Sequence, residues 1–220
     1  MRTVIFDLDG TLADTSRDLI AAANSRFRAL GHGDLLDPVA DAATAFRGGR
    51  AMLRLGFERL GAAEDAAIEA EVAPFLEAYA AGIDLHTTLY PGAREAVELL
   101  KSEGYTVGIC TNKPAALAED LMKKLGVRSL FGSLIGADTL PVRKPDPAPL
   151  RAAVEQAGGD IARTVLVGDT VTDRETGRAA GVPVILVTFG PEGDGVARLS
   201  PEALLPGYGD LTATVAGLIG

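Results

Sequence analysis

Four groups of residues along this chain could do chemistry together. Asp7 and Asp9 stand two apart at the end of a β-branched and aromatic run, Thr3-Val-Ile-Phe6. In an extended segment residues i and i+2 share a face, so the two acids lie side by side, each making the other harder to ionise. Thr111 follows the apolar run Tyr105–Cys110, Lys144 lies in Arg143-Lys-Pro-Asp-Pro147, and Asp169 and Asp173 follow Thr164–Val167 in Gly168-Asp-Thr-Val-Thr-Asp173. Taken singly, each reads as a loop residue that is polar for solvation, and Asp9-Gly10 as a solvated turn with Asp7 its cap. Taken together they suit phosphoryl transfer through a covalent intermediate. A carboxylate attacking a phosphate dianion faces charge repulsion, so its site must supply cations. Asp7, Asp169 and Asp173 offer hard oxygens to Mg²⁺, which with Lys144 would neutralise the acids and the phosphate. Thr111 and the backbone N–H groups near Asp9 and Asn112 would hydrogen-bond phosphoryl oxygens. Asp9 is placed to protonate a leaving alkoxide and then to deprotonate the attacking water.

Such a set works only if the fold gathers it. Thr3–Phe6, Tyr105–Cys110, Leu134–Ala137, Thr164–Val167 and Val182–Val187 read as strands, and Ala93–Ser102, a segment ending at Leu125, Pro149–Ala157 and Asp173–Ala180 as the helices between them. Strand–helix alternation with near-continuous apolar strands predicts an α/β fold, a doubly wound parallel sheet of Rossmann-like type with helices on both faces. The carboxyl ends of its strands lie along one edge, where such sheets bind ligands, so positions 7 to 173 would converge there. From Leu19 to about Gly82 no strand is visible; Ala, Leu, Glu and Arg dominate, broken at Gly31-His-Gly33, Asp37-Pro38, Gly48-Gly49 and Gly61, which reads as about four amphipathic helices. Gly190–Gly209, rich in Gly and Pro, reads as loop, and Asp210 as the cap of a last helix, Leu211–Leu218.

Composition sets outer bounds. The chain has 220 residues, 47% of them hydrophobic and 23% charged, the profile of a soluble globular protein with room for a core and an insertion. No run suits a membrane span and no signal-peptide order opens the chain. Cys110 is the single cysteine, expected buried and inert, and its isolation fits the cytoplasm. A net charge of −9 argues against a nucleic-acid partner. The expected partner is a small phosphorylated metabolite; monomer and homodimer both stay open.

Asp7-Leu-Asp9-Gly-Thr11, Thr111, Lys144 and Gly168-Asp169-Thr-Val-Thr-Asp173 resemble the four ordered motifs of the haloacid dehalogenase superfamily, and the resemblance covers essentially the whole chain. It implies that Asp7 is the nucleophile, Asp9 the acid/base, Thr111, Asn112 and Lys144 the phosphate binders, and Asp7, Asp9, Asp169 and Asp173 the Mg²⁺ set, with Asp169 a direct ligand and Asp173 acting directly or through water. It also implies a core domain of residues 1–14 and 88–220 and an inserted helical cap domain of residues 15–87, hinged at Asp14–Ser16 and His86–Leu89. The acid at position 9 favours a phosphatase or a phosphomutase over a dehalogenase. Asp14-Thr-Ser-Arg-Asp18-Leu, Ala23-Asn24, Leu30-Gly31, Tyr90-Pro-Gly92 and Thr111-Asn-Lys-Pro114 are similar to the phosphoglycolate phosphatases, which makes phosphoglycolate the leading candidate substrate.

One departure bears on specificity. Where those phosphatases commonly show Gly-x-Gly in a cap loop, this chain has Phe46-Arg47-Gly48-Gly49-Arg50. Arg47 or Arg50 could pair with a substrate carboxylate, or both could be solvated or paired with cap acids. His32 and His86 read as surface or hinge residues, Asp18 and Asn24 as helix-face residues, and Lys113 as solvated. Two alternatives stand beside hydrolysis: a β-phosphoglucomutase-like phosphomutase, on the same scaffold but usually with a His near position 18, and a phospho-accepting signalling module. The latter also uses paired acids, Thr, Lys and Mg²⁺, but places its phosphoacceptor after a later strand and needs no helical insertion.

Overall fold

A computed structural model describes residues 1–220. The chain divides into two compact units, one of residues 1–13 and 89–220, the other of residues 14–88.

The first unit opens with β1 (Thr3–Phe6), every residue of it buried. Two-residue strands β2 (Ala13–Asp14) and β3 (Thr88–Leu89) mark where the chain leaves and returns, with the helices α1 (Ser16–Ala29), α2 (Ala42–Ala45), α3 (Gly49–Arg59) and α4 (Asp65–Ala81) between them. The first unit then continues through α5 (Ala93–Ser102), β4 (Thr106–Cys110), α6 (Ala115–Lys124), β5 (Ser133–Ile135), α7 (Ala148–Gln156), β6 (Thr164–Gly168), α8 (Val171–Ala180), β7 (Val184–Val187), β8 (Ala203–Leu205) and α9 (Leu211–Ile219).

Its sheet has six strands in the order β5-β4-β1-β6-β7-β8, and all five pairings are parallel. The fold is therefore the expected α/β Rossmann-like core. One strand was not expected. β8 lies inside the Gly- and Pro-rich tail read as loop, and pairs with β7 through Ala203, Leu204 and Leu205. A three-residue strand set between Pro201 and Pro206 is too short for periodicity to register; Leu205 is nonetheless fully buried. The tail also contains a 3₁₀ segment, Gly193–Leu199. Asp210 does precede the last helix, but its side chain makes no capping hydrogen bond.

Alternation along the strands sorts the core. Ile5, Leu166, Val184 and Leu186 join Leu150, Ala153 and Val154 of α7 and Ala180 of α8 in one buried cluster. α5 and α9 pack on β4 and β6 respectively, and on each other. Full burial of each such aliphatic side chain stabilises by about 1.5–3 kcal/mol, which fixes the strand register. That register matters for the site: Thr3 is level with Thr106 and Thr164, and Phe6 with Ile109 and Val167. Asp7 thus leaves the sheet beside Cys110 and Gly168, with Thr111 and Asp169 one position further on.

In the second unit α1 packs against α4, α2 and α3. Two of its buried polar residues, Asp18 and Asn24, hold loops in place. Asp18 accepts hydrogen bonds from the His86 and Thr87 amides (3.0 and 2.9 Å) and the Thr87 hydroxyl (2.8 Å). Asn24 accepts from the Leu35 and Leu36 amides and donates to the Leu36 carbonyl. Read from sequence as simple helix-face residues, both prove to be clamps holding loops to α1. His32 and His86 are exposed.

Candidate active site

β1 ends at Asp7, whose amide is still tied to the sheet by the Val167 carbonyl at 2.9 Å. The chain then turns tightly. The Leu12 and Ala13 amides both donate to the Leu8 carbonyl, and Gly10 takes a φ of 81° that a side chain would resist. This turn presents Asp9 and Thr11. The Thr11 hydroxyl donates to Asp169 Oδ1 at 2.7 Å, and its carbonyl accepts from the buried Tyr208 hydroxyl at 2.7 Å. The phenol stands in a row with Phe189 and Tyr90, ring centroids 5.2 and 4.9 Å apart. Sequence reading assigned no role to Thr11 or Tyr208. Partners 158 and 197 positions apart leave no local signal.

Asp169 and Asp173 come from the β6–α8 junction. Asp173 Oδ2 accepts from the Thr170 amide and hydroxyl (3.1 and 2.8 Å), and the Thr170 side chain completes a capping box at the start of α8. The Asp169 amide also donates to Asp173 Oδ2, at 3.2 Å. Gly168 permits this arrangement, since a Cβ there would sit 2.4 Å from Asp173 Cβ. Asp173 Oδ1 takes a 2.6 Å hydrogen bond from Lys144, whose Nζ also lies 3.1 Å from Asp7 Oδ1. Lys144, Asp169 and Asp173 are at most 2% exposed. The Asn112 side-chain amide donates to the Lys144 carbonyl at 3.0 Å, which ties it to the lysine's own loop. Thr111 is buried, its amide bound to the Ile135 carbonyl and its hydroxyl accepting from the Lys113 amide.

Oxygens of Asp7, Asp169 and Asp173 lie within 4.8 Å of one another. The Asp9 carboxylate is turned instead to Lys113, whose Nζ donates to its two oxygens at 2.9 and 3.2 Å. Lys113, expected to be solvated, is buried, its side chain 3% exposed. A lysine three residues past a strand end can fold back along the sheet edge, and sequence spacing alone does not reveal that.

Three acids around one lysine leave the site short of positive charge. Burial pushes the Asp7 carboxyl up to about 6; Lys144 opposes the shift, and Asp173 and Asp9 add to it. Burial likewise raises Asp169 well above its usual range, with Asp173 and Asp7 contributing. Burial alone would lower the Lys144 ammonium, but Asp173 and Asp7 more than reverse this and hold it above its ordinary range. Asp169 Oδ2 is buried with no hydrogen-bond partner, an arrangement that costs free energy unless something binds it. An all-oxygen set with an orphaned carboxylate oxygen fits a hard divalent cation such as Mg²⁺.

In the helical unit Arg50 is engaged by Glu69 through two hydrogen bonds of 2.9 and 2.7 Å, while Arg47 is exposed. Cys110, level with Asp7, is fully buried, and burial pushes its thiol up to about 12.

Comparison with known proteins identifies the family. A family model described as haloacid dehalogenase-like hydrolase matches residues 1–181. A phosphoglycolate phosphatase of Rhodospirillum rubrum is 37% identical over 218 residues, spanning 96% of this chain and 89% of its own length. One from Caulobacter vibrioides is 37% identical over 215 residues, covering 95% and 88%. Among solved structures, a haloacid dehalogenase-like family hydrolase from Streptococcus pneumoniae superposes with a TM-score of 0.81 at 22% identity, over 97% of each chain. By its family match and its relatives, the chain belongs to the haloacid dehalogenase-like hydrolases.

Proposed function

We propose that this protein is a Mg²⁺-dependent phosphatase that hydrolyses a small phosphate monoester through an aspartyl phosphate on Asp7, with phosphoglycolate the first substrate to test. The observation that carries the reading is the buried meeting of Asp7, Asp169 and Asp173 with Lys144 at the carboxyl edge of the sheet.

In this reading an Asp7 carboxylate oxygen attacks phosphorus and a new O–P bond forms. The bond from phosphorus to the leaving oxygen breaks, and that oxygen keeps the electron pair and takes a proton from Asp9. Asp9 then removes a proton from water as the water attacks the phosphoryl group, releasing phosphate and restoring Asp7. Lys144 spreads positive charge over Asp7 and the phosphoryl oxygens, and Thr111 with the neighbouring backbone N–H groups orients them. Asp7 and Asp169 would hold Mg²⁺, with Asp173 behind them. When bound, the ion supplies Lewis-acid neutralisation of the phosphate charge. The raised Asp7 and Asp169 carboxyls gain most from that charge.

Residues 14–88 take the part of the cap in this reading, with Arg47 as the candidate for recognising a substrate carboxylate. The names of the relatives support phosphoglycolate as the ester.

The test is a panel of phosphate monoesters assayed with Mg²⁺ and with chelator. Turnover that requires Mg²⁺, is fastest on phosphoglycolate and is abolished by Asp7→Asn in a folded variant is expected. Substantial activity remaining in Asp7→Asn would reject the covalent mechanism.

A further inference from the structure

Two lysines serve the acids at the exit of β1, and only Lys144 is explained by the reaction as set out above. Lys113 approaches from the β4–α6 loop, where its backbone is fixed on both sides. Its amide donates to the Thr111 hydroxyl at 3.2 Å, and its carbonyl accepts from the Ala137 amide at 3.0 Å. The next residues are pinned as well, since the Ala115 amide donates to Asp138 Oδ1 at 2.8 Å. From this anchored base the side chain runs inward, and its Nζ meets Asp9 Oδ1 and Oδ2 at 2.9 and 3.2 Å. Burying an ammonium is costly unless it is paired, so the contact is not an incidental surface pairing.

We propose that Lys113 is a positioning residue for Asp9: it grips both carboxylate oxygens and fixes where the group that hands a proton to the leaving oxygen stands. Asp9 sits on a tight turn, and a proton donor must lie within hydrogen-bond reach of its target. A single ammonium on a rigid loop supplies that constraint. This rests on the phosphatase reading and deepens it, because it assigns Lys113 to the leaving-group side of the reaction and Lys144 to the nucleophile side.

The leaving group reports the difference. p-Nitrophenolate departs without a proton, whereas an alkoxide needs one. Wild type, Lys113→Met and Lys113→Arg are compared by kcat/KM with Mg²⁺ on three esters: phosphoglycolate, ethyl phosphate and p-nitrophenyl phosphate. Proton transfer by a placed group contributes about 10²–10⁴-fold. Lys113→Met is therefore expected to lose about 10² on both alkyl esters and under about tenfold on the aryl ester. Lys113→Arg, which keeps the charge and grips two oxygens but does not give up a proton near neutral pH, is expected to recover most of the alkyl activity. All esters are assayed on one preparation, so loss of folded enzyme cancels in the alkyl-to-aryl ratio.

An equal loss on all three esters overturns the proposal and puts Lys113 on the phosphoryl group. A loss confined to phosphoglycolate overturns it in favour of a carboxylate contact with substrate. No recovery in Lys113→Arg overturns it too, since it leaves the ammonium acting by its own proton. A wild-type protein inactive on every ester fails the phosphatase reading itself, a separate result.

Discussion

Replacing Lys144 with methionine removes the one cation that touches both Asp7 and Asp173, and the cost follows from the geometry. The Nζ lies 3.1 Å from Asp7 and 2.6 Å from Asp173, in a side chain 1% exposed. At an effective dielectric of about 20, each contact is worth about 5–6 kcal/mol of Coulomb attraction, much of it offset by desolvation. Taking one partner from a buried pair costs about 3–5 kcal/mol overall, because uncompensated charge stays behind.

The cost depends on pH, and its sign is fixed. With Lys144 present, the Asp7 carboxyl already stands at about 6 against an ordinary 3.8; without the lysine it rises further. A carboxyl raised in the folded state binds its proton more tightly folded than unfolded. The contribution of this carboxyl to stability is therefore fully present below about pH 4 and is lost as pH climbs through the folded value. Urea unfolding followed by far-UV circular dichroism in chelator, at pH 5.5 and pH 8, measures this. Lys144→Met is expected to lose about 3–5 kcal/mol at pH 8 and at least about 1 kcal/mol less at pH 5.5, with the urea slope unchanged. A loss below about 1 kcal/mol at pH 8, or one equal at both pH values, would refute the claim that uncompensated acid charge governs this site.

Three further outcomes are expected. Gly168→Ala would drive a Cβ to 2.4 Å from Asp173 Cβ, lowering kcat/KM at least tenfold and costing about 1–3 kcal/mol; wild-type kinetics and melting would contradict the crowding. Asp18→Ala strips the hydrogen bonds holding His86 and Thr87 and should destabilise the helical unit by about 2–3 kcal/mol, with amide exchange accelerating first at those two residues. Cys110, its thiol raised to about 12 by burial, should ignore a disulfide reagent in the native protein and react on unfolding; rapid labelling of the folded chain would contradict its burial.

Much of the fold could be read from local pattern. β1, β4, β6 and β7 are short apolar runs rich in Val and Ile, and the helices between them end near glycines or carry apolar stripes. Parallel topology then forces their carboxyl ends to one edge, so Asp7, Thr111, Lys144 and Asp169 could be grouped before any distance was known. The failures share a cause. β8 is three residues long and is held by pairing with β7 rather than by its own pattern. Lys113 looks like any loop lysine until the fold shows it reaching Asp9, and Asp18 looks like a polar helix residue until the His86–Thr87 segment returns to it. Asp173 was legible as an acid but not as a helix cap, because a carboxylate that serves Thr170 and Lys144 at once is defined only by where both end up.

The bond from the Tyr208 hydroxyl to the Thr11 carbonyl has a bearing on how the molecule comes into being. β1 gains its flanking strands only after residues 106–110 and 164–168 exist, and the turn beyond it receives the phenol 197 positions after Thr11. A growing polypeptide on the ribosome therefore carries its acids long before it can brace them.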